Sequence, residues 1–300
     1  MLDALQAQLL RLPRELRDII YRYAFFSSSP IYFSRPVHPL FVSSPYTHPT
    51  IGEEALEAFY SCNTFVVGSP RSNDQWGKYL SYNPLIRHLV IHVEEELNEP
   101  AISTISDVQE YESRRLSGAD PVRRNWEKLL EFPKLATLTI NLEKIRDNSF
   151  SFRTFAPIIY TLRAQHPKLV LKFCVSFDTI LQSAWDDPYW SHPNWAVNGI
   201  NEESFNEAGP IDVTELIAPP SEDDKKYVEE FLPNRRMPMG RSVKRGLLDC
   251  NVSEKKALAK HYVVKEPALL RVLMEEHYKI YQEYQKKVRE TLRANVQEDC

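Results

Sequence analysis

The chain has 300 residues, 43% of them hydrophobic, and its 37 basic and 41 acidic side chains leave a net charge of −4. Such a chain can bury a sizeable core as one large domain or two ordinary ones, and its balanced charge argues against nucleic acid or an anionic membrane as a partner. The longest apolar runs are shorter than the roughly 18 residues that a membrane-spanning helix needs, and Asp3 lies where a secretory signal would carry positive charge. We therefore expect an intracellular protein, in the cytoplasm or the nucleus.

The first predicted element is a short amphipathic helix in "LPRELRDIIYRYAF". Pro13 suits the first helical turn, where its missing N–H costs nothing. The helical spacing places four apolar residues on one side, and these are Leu16, Ile19, Ile20 and Tyr23. The other side carries charged residues, and these are Arg14, Arg17, Asp18 and Arg22. Because an isolated helix this short is marginal in water, we expect the apolar side to be buried, either against the rest of the chain or against a partner.

A connection rich in proline and serine follows, with a short strand predicted at 31–33. A second amphipathic helix is predicted in "GEEALEAFYSCNTFVV". Asn63 is placed to end this helix, and residues 64–67 are predicted to form a strand.

Three apolar segments then resemble one another, and each begins near a proline. They are "NPLIRHLVIHV", "FPKLATLTINL" and "HPKLVLKFCV". Helical patterns lie between them, one beginning at Pro121 and one covering 155–162. Alternating strands and helices predict a parallel sheet with right-handed crossovers.

The first two segments also read I-x-x-L-x-I and L-x-x-L-x-I, which is the strand signature of a leucine-rich repeat in an irregular form. The third segment fits only as Val170, Phe173 and Val175. A short curved α/β solenoid and an ordinary α/β layer both remain open. In a solenoid the outward strand positions would line an open face, and they are His88, His92, Thr137, Thr139, Asn141, Lys168 and Lys172.

Residues 176–220 lose the periodicity and contain a segment dense in aromatic residues, with Trp185, Trp190 and Trp195 among prolines and aspartates. Such aromatic side chains could anchor a partner or pack the loop onto its own domain. A charged helix is predicted after Ser221, with Asp224 completing a capping box. After Pro267 a single long helix is predicted to run close to the end of the chain.

Candidate chemical groups are few. His88 and His92 lie on one face of a predicted strand, but a third metal ligand is missing. An acid–base group is conceivable at Asp186, Asp187 and His192, yet no nucleophile accompanies it. A basic cluster could serve nuclear import or phosphate binding, or could be a solvated loop, and it comprises Arg235, Arg236, Arg241, Lys244 and Arg245.

Cofactor signatures are missing as well. The four cysteines are far apart and form no C-x-x-C pair, so neither a zinc site nor a disulfide framework is indicated. No glycine-rich phosphate-binding loop of the common kinds occurs. We therefore expect no cofactor, no metal site and no enzymatic activity.

The opening "LPRELRDIIYRYAF" resembles the start of the F-box, in the form found in fungal F-box-like proteins. Those proteins continue with a block of the type EEAL-x-x-FY-x-x-NTF and a strand of the type IRHL-x-I. This chain has "EEALEAFYSCNTFVV" and "IRHLVIHV" in the same order. The three blocks cover about the first third of the chain.

The resemblance implies that residues 9–26 dock on the adaptor subunit of an SCF-type cullin-RING ubiquitin ligase while the repeat region recruits a protein substrate. Carried over position by position, the adaptor contacts would be Leu12, Pro13, Leu16, Ile19 and Ile20. The substrate contacts that we predict are His88, His92, Thr139, Asn141, Lys172, Trp185, Trp190 and Trp195.

The sequence thus predicts an α/β protein with three parts. Residues 1–50 would form an F-box-like helical unit with an extended connection. Residues 51–220 would form an irregular leucine-rich-repeat-like region of parallel strands and helices. Residues 221–300 would form a helical region ending in a long helix.

The predicted function is a non-enzymatic substrate receptor. One alternative is an interaction scaffold without a ligase role, in which Leu16, Ile19 and Ile20 would be buried in the core. The other is an enzyme with its site near residues 185–195.

Overall fold

The computed structural model describes residues 2–32, 48–68, 83–93, 109, 121–142, 155–175, 211–231 and 267–298. Within these ranges the α-helices are α1 (Leu2–Leu10), α2 (Arg14–Phe25), α3 (Pro49–Cys62), α4 (Pro121–Glu127), α5 (Ala156–Gln165), α6 (Glu222–Phe231) and α7 (Pro267–Glu298). The strands are β1 (Ile31–Tyr32), β2 (Thr64–Val67), β3 (His88–Val93), β4 (Thr137–Leu142), β5 (Val170–Val175) and β6 (Ile211–Asp212). Short 3₁₀ turns lie at Asn83–Leu85, Lys128–Glu131 and Thr214–Ile217.

The six strands form one sheet in chain order, β1-β2-β3-β4-β5-β6. The first five strands are parallel, and β6 pairs with β5 in the antiparallel direction. Because each parallel strand is added on the same side of the previous one, right-handed crossovers place their helices on one face of the sheet. The predicted α/β class with parallel strands is confirmed.

Alternation along the strands separates the two faces of the sheet. In β3, Leu89, Ile91 and Val93 are buried, whereas the intervening side chains are only half-buried. The buried positions of β2 to β5 join side chains of α3, α4, α5 and α7 in one hydrophobic core. The largest side chains of this core that are fully buried include Trp126, Phe155 and Phe173. The sheet therefore has one core-facing side and one outer side.

The register corrects the repeat pattern assigned to the third segment. Leu171 lies opposite Leu138, and Phe173 lies opposite Ile140. The sequence pattern instead predicts Phe173 opposite Leu138 and Val175 opposite Ile140, and each of these lies two residues further along the chain than the residue found there. As a result Val170, expected in the core, is 51% exposed. The turn before β5 is shorter than the turn before β4, so the two segments are not equivalent residue by residue after their prolines.

The two ends of the described chain are both attached to this core. Strand β1, which follows α2, pairs with β2. Helix α7 packs on α5 and α6, and it buries Met274 and Tyr281 in the core cluster. Tyr281 also donates a hydrogen bond of 2.8 Å to Glu127 Oε1 in α4.

The capping box predicted at the start of α6 is present. The backbone N of Asp224 donates to Ser221 Oγ at 3.1 Å, and the backbone N of Ser221 donates to Asp224 Oδ2 at 2.8 Å. Arg271 of α7 binds the same carboxylate through two nitrogens, at 2.9 and 2.5 Å. These hydrogen bonds lower the pKa of Asp224 to about 2, with the Arg271 contact as the largest cause. One carboxylate therefore caps α6 and ties it to α7.

Candidate functional site

The side of α2 that faces the domain is held by α3. Tyr21 is buried and packs with Ile51, Ala55 and Ala58 of α3. Leu9 and Leu10 of α1 complete this small cluster, which is separate from the main core. An aromatic ring and small or branched aliphatic residues thus fix the distance between the two helices.

Glu54 is the centre of a buried ion-pair network on this inward side. Its side chain is 5% exposed. Arg17 binds both of its oxygens, with Nε–Oε2 at 2.7 Å and Nη2–Oε1 at 2.6 Å. Arg14 adds a third contact, Nη1–Oε1 at 2.9 Å, and the Tyr21 hydroxyl donates to Oε2 at 3.1 Å. A carboxylate with four donors is fully compensated for its removal from water.

The network shifts the pKa of its members in the directions that this geometry requires. The hydrogen bonds from Arg17 are the largest cause that lowers the pKa of Glu54, from 4.5 to about 2. Burial, followed by the hydrogen bond to Glu54, raises the pKa of Tyr21 to about 12. Glu54 is therefore ionised and Tyr21 neutral throughout the physiological range.

The same side chains also order the chain around α2. Arg17 Nη1 donates to the carbonyl oxygen of Leu12 at 2.6 Å, across the turn between α1 and α2. At the other end of α2, Asn63 Nδ2 donates to the carbonyl oxygens of Phe25 and Phe59 at 2.9 and 2.8 Å. Asn63 Oδ1 accepts the backbone N–H of Ser27 at 2.7 Å. Asn63, predicted only to end α3, thus joins the carboxyl ends of both helices.

The opposite side of α2 points away from the domain. Its four apolar residues are exposed, with Leu16 at 47%, Ile19 at 62%, Ile20 at 43% and Tyr23 at 91%. Phe26, just beyond the helix, is 63% exposed. The helix is therefore oriented with Tyr21 and Arg17 toward α3 and an aliphatic side outward, whereas an ordinary surface helix turns its aliphatic side inward.

The five residues predicted as adaptor contacts lie as follows. Pro13, the residue before α2, is exposed, and so are Leu16, Ile19 and Ile20. Leu12 is half-buried. The alternative in which α2 belongs wholly to the core expected Leu16, Ile19 and Ile20 to be buried, and this expectation is wrong.

The outward positions of the sheet share one face, as the alternation predicted, but they are not uniformly open. His88 and Thr137 are in register, and His88 Nδ1 lies 2.9 Å from Thr137 Oγ1. Lys168 and Lys172 are exposed, whereas His88, His92, Thr137 and Thr139 are half-buried.

Asn141 corrects the expectation of an open face, because it is 8% exposed. Its neighbour in register on β5, Cys174, is also buried. The carboxyl ends of β4 and β5 are therefore closed on the outer side, and the accessible part of this face lies nearer their amino ends.

Several predicted groups lie outside the described residues. These are Trp185, Trp190 and Trp195, the acid–base candidates Asp186, Asp187 and His192, and the basic cluster at 235–245. The described ranges hold no cluster of three or more His, Cys, Asp or Glu side chains that could bind a metal ion. Among the helices of the same ranges, none combines the length and apolar character that crossing a membrane requires.

Comparison with known proteins found no match: no family model, no curated protein and no solved structure matches the chain.

Glu54, the centre of the ion-pair network, is not among the residues that the sequence analysis predicts to be functional. A signal was available, because Glu54 falls three residues after Ile51 and four before Ala58 and so interrupts the apolar side of α3. A carboxylate on a buried side of a helix requires a cationic partner, and Arg14 and Arg17 supply it.

Proposed function

We propose that the chain is a non-enzymatic recognition protein, in which α2 binds the adaptor subunit of an SCF-type ubiquitin ligase and the outer face of the sheet binds a protein substrate. The exposed apolar side of α2 that would bind the adaptor is called the docking side, and it comprises Leu16, Ile19, Ile20 and Tyr23. Such a role implies a cytoplasmic or nuclear location. The observation that carries the proposal is the orientation of α2, in which Arg14 and Arg17 bind the buried Glu54 of α3 while the aliphatic side is exposed.

The docking side is costly to leave in water. Burying one aliphatic or aromatic side chain contributes about 1.5–3 kcal/mol, and four such side chains lie within about 10 Å along the helix axis. Exposed apolar patches of this kind mark interaction sites. A partner with an apolar groove would bury them together.

The docking side is also held in place before a partner arrives. The contacts of Glu54 with Arg14 and Arg17 fix the rotation of α2, and Asn63 fixes its carboxyl end. Binding therefore does not have to order the helix, and less of the interaction free energy is lost.

The F-box resemblance is the reason for proposing an SCF adaptor as the partner. The residues that match the opening of the motif and contact the adaptor in that family include Pro13, Leu16, Ile19 and Ile20. In this chain all four are exposed around one end and one side of α2. The proposal thus depends on two independent features, the motif and the exposure of the residues that carry it.

The test is co-elution with the purified SCF adaptor on a sizing column. We expect a complex with the wild-type chain and its loss in an Ile19→Asp, Ile20→Asp double variant, because two carboxylates in an apolar groove should weaken binding about a hundredfold or more. Both side chains are exposed in the free chain, so the circular dichroism spectrum should not change.

The matched control is Val170→Asp, which places a carboxylate at another exposed aliphatic position, on β5. This variant should co-elute like the wild type. Failure of the wild-type chain to form a complex, or a complex that persists in the double variant, would remove the ligase role. A chain that binds no adaptor would be left as an interaction scaffold.

A further inference from the structure

One row of side chains crosses the outer face of the sheet on all five parallel strands. The register places in this row Tyr32, Val66, Val90, Thr139 and Lys172, and we call it the transverse row. Neighbouring strands are about 4.8 Å apart, so the row is about 19 Å long. It changes steadily from an aromatic ring through aliphatic side chains to a hydroxyl and a cation.

The two ends of the transverse row are its most accessible parts. Tyr32 is 61% exposed at one end, and Lys172 is exposed at the other. Val90 and Thr139 are half-buried between them, and Val66 is buried. Val66 is not part of the main core cluster, which lies on the other side of the sheet. The row is therefore closed at Val66, and its accessible groups are mainly the two at its ends.

The aromatic end is held in place. The ring of Tyr32 packs against that of His92 on β3, with 6.3 Å between the ring centroids. Its apolar neighbours along the row are valines. An apolar side chain of a partner could lie against this ring and the exposed part of Val90 without any rearrangement of the strand.

The cationic end has no partner of its own within the described part of the chain. No hydrogen bond or ion pair is formed there by Lys172. The negative side chain nearest in register on this face is that of Asp212, opposite Cys174, and it already accepts the backbone N–H of Thr214 at 2.9 Å. A carboxylate from outside is the group that the Lys172 ammonium can bind.

We infer that the transverse row binds an extended segment of a protein partner that carries an apolar side chain for Tyr32 and a carboxylate for Lys172. An extended chain advances about 3.3 Å per residue, so these two side chains would be about five or six residues apart. The inference deepens the substrate-binding half of the proposed function and depends on it, because it specifies what kind of substrate segment the sheet recognises.

The test uses a displayed library of random twelve-residue peptides selected on the full-length chain. We expect enriched peptides to carry Asp or Glu about five or six residues from an aromatic or aliphatic residue. Synthetic copies should bind the Lys172→Glu and Tyr32→Ala variants about tenfold more weakly than the wild type. Lys226→Glu, at an exposed lysine of α6, is the matched control and should leave the affinity unchanged.

A charge exchange makes the assignment specific. A peptide in which Lys replaces the selected carboxylate should bind Lys172→Glu better than it binds the wild type. The inference is overturned if no peptide is enriched, or if the enriched peptides bind Lys172→Glu as tightly as the wild type. The Ile19→Asp, Ile20→Asp variant should retain peptide binding, so a failure of adaptor binding and a failure of the transverse row give different results.

Discussion

Replacing Phe155 with alanine is expected to lower the free energy of unfolding by about 3–5 kcal/mol. Phe155 precedes α5 and is fully buried. Its ring lies between that of Trp126 in α4, with centroids 5.1 Å apart, and that of Phe173 in β5, with centroids 6.4 Å apart. Alanine would leave a cavity between α4, the start of α5 and strand β5. Urea unfolding at neutral pH measures the loss.

Tyr23→Ala is the matched control for this variant, because Tyr23 is an aromatic residue that is 91% exposed. Its replacement should change the free energy of unfolding by less than about 0.5 kcal/mol. If Phe155→Ala lowers the free energy of unfolding no more than Tyr23→Ala does, the three rings do not form the connection between α4, α5 and the sheet.

Replacing Glu54 with glutamine is expected to lower the free energy of unfolding by about 2–3 kcal/mol at neutral pH. Charge-assisted hydrogen bonds contribute about 1.5–3 kcal/mol, and the substitution also leaves Arg17 and Arg14 facing a neutral amide. The amide keeps the size of the side chain, so packing of α2 on α3 contributes little to the difference. Urea unfolding compares the two proteins.

The stabilisation by Glu54 should disappear in acid. Its pKa is lowered from 4.5 to about 2 in the folded chain, so the contribution is complete above pH 4.5 and is lost as the pH falls toward 2. The difference between wild type and Glu54→Gln should therefore narrow below pH 4.5. Glu222→Gln, at a carboxylate that is 89% exposed, is the control and should change the free energy of unfolding by less than about 0.5 kcal/mol. A constant difference across this pH range would contradict the account of Glu54.

Local patterns were sufficient to predict most of the elements. Alternating apolar residues predicted β3 and β4, and the helical spacing after Pro13 predicted α2, because both signals arise within a few residues. The sequence did not indicate β6, whose two residues carry too short a pattern to stand out from a loop. The register of β5 was also missed, since it depends on pairing with β4 and not on its own residues.

The orientation of α2 could not be predicted for the same reason. Its amphipathic pattern is clear in the sequence, but the side that faces inward depends on Glu54, which lies 37 residues after Arg17. In the folded chain Arg14 and Arg17 bind Glu54 of α3, and Tyr21 packs on Ile51, Ala55 and Ala58. The apolar pattern of α2 alone therefore does not show which side of the helix faces α3, because the ion pairs with Glu54 join residues that are far apart in the sequence.

The accessibility of α2 in the free chain is the most direct test of its proposed docking role. Ile19→Cys and Ala55→Cys variants would be treated with a thiol reagent, and labelling at each position would be followed by peptide mass spectrometry. Ile19 is 62% exposed and Ala55 is fully buried beside Tyr21. We expect the cysteine at 19 to react about a hundredfold faster than the cysteine at 55, which becomes accessible only when the helices separate. Equal, slow labelling at both positions would show that the aliphatic side of α2 is covered by the chain itself, and would contradict its role as a docking surface.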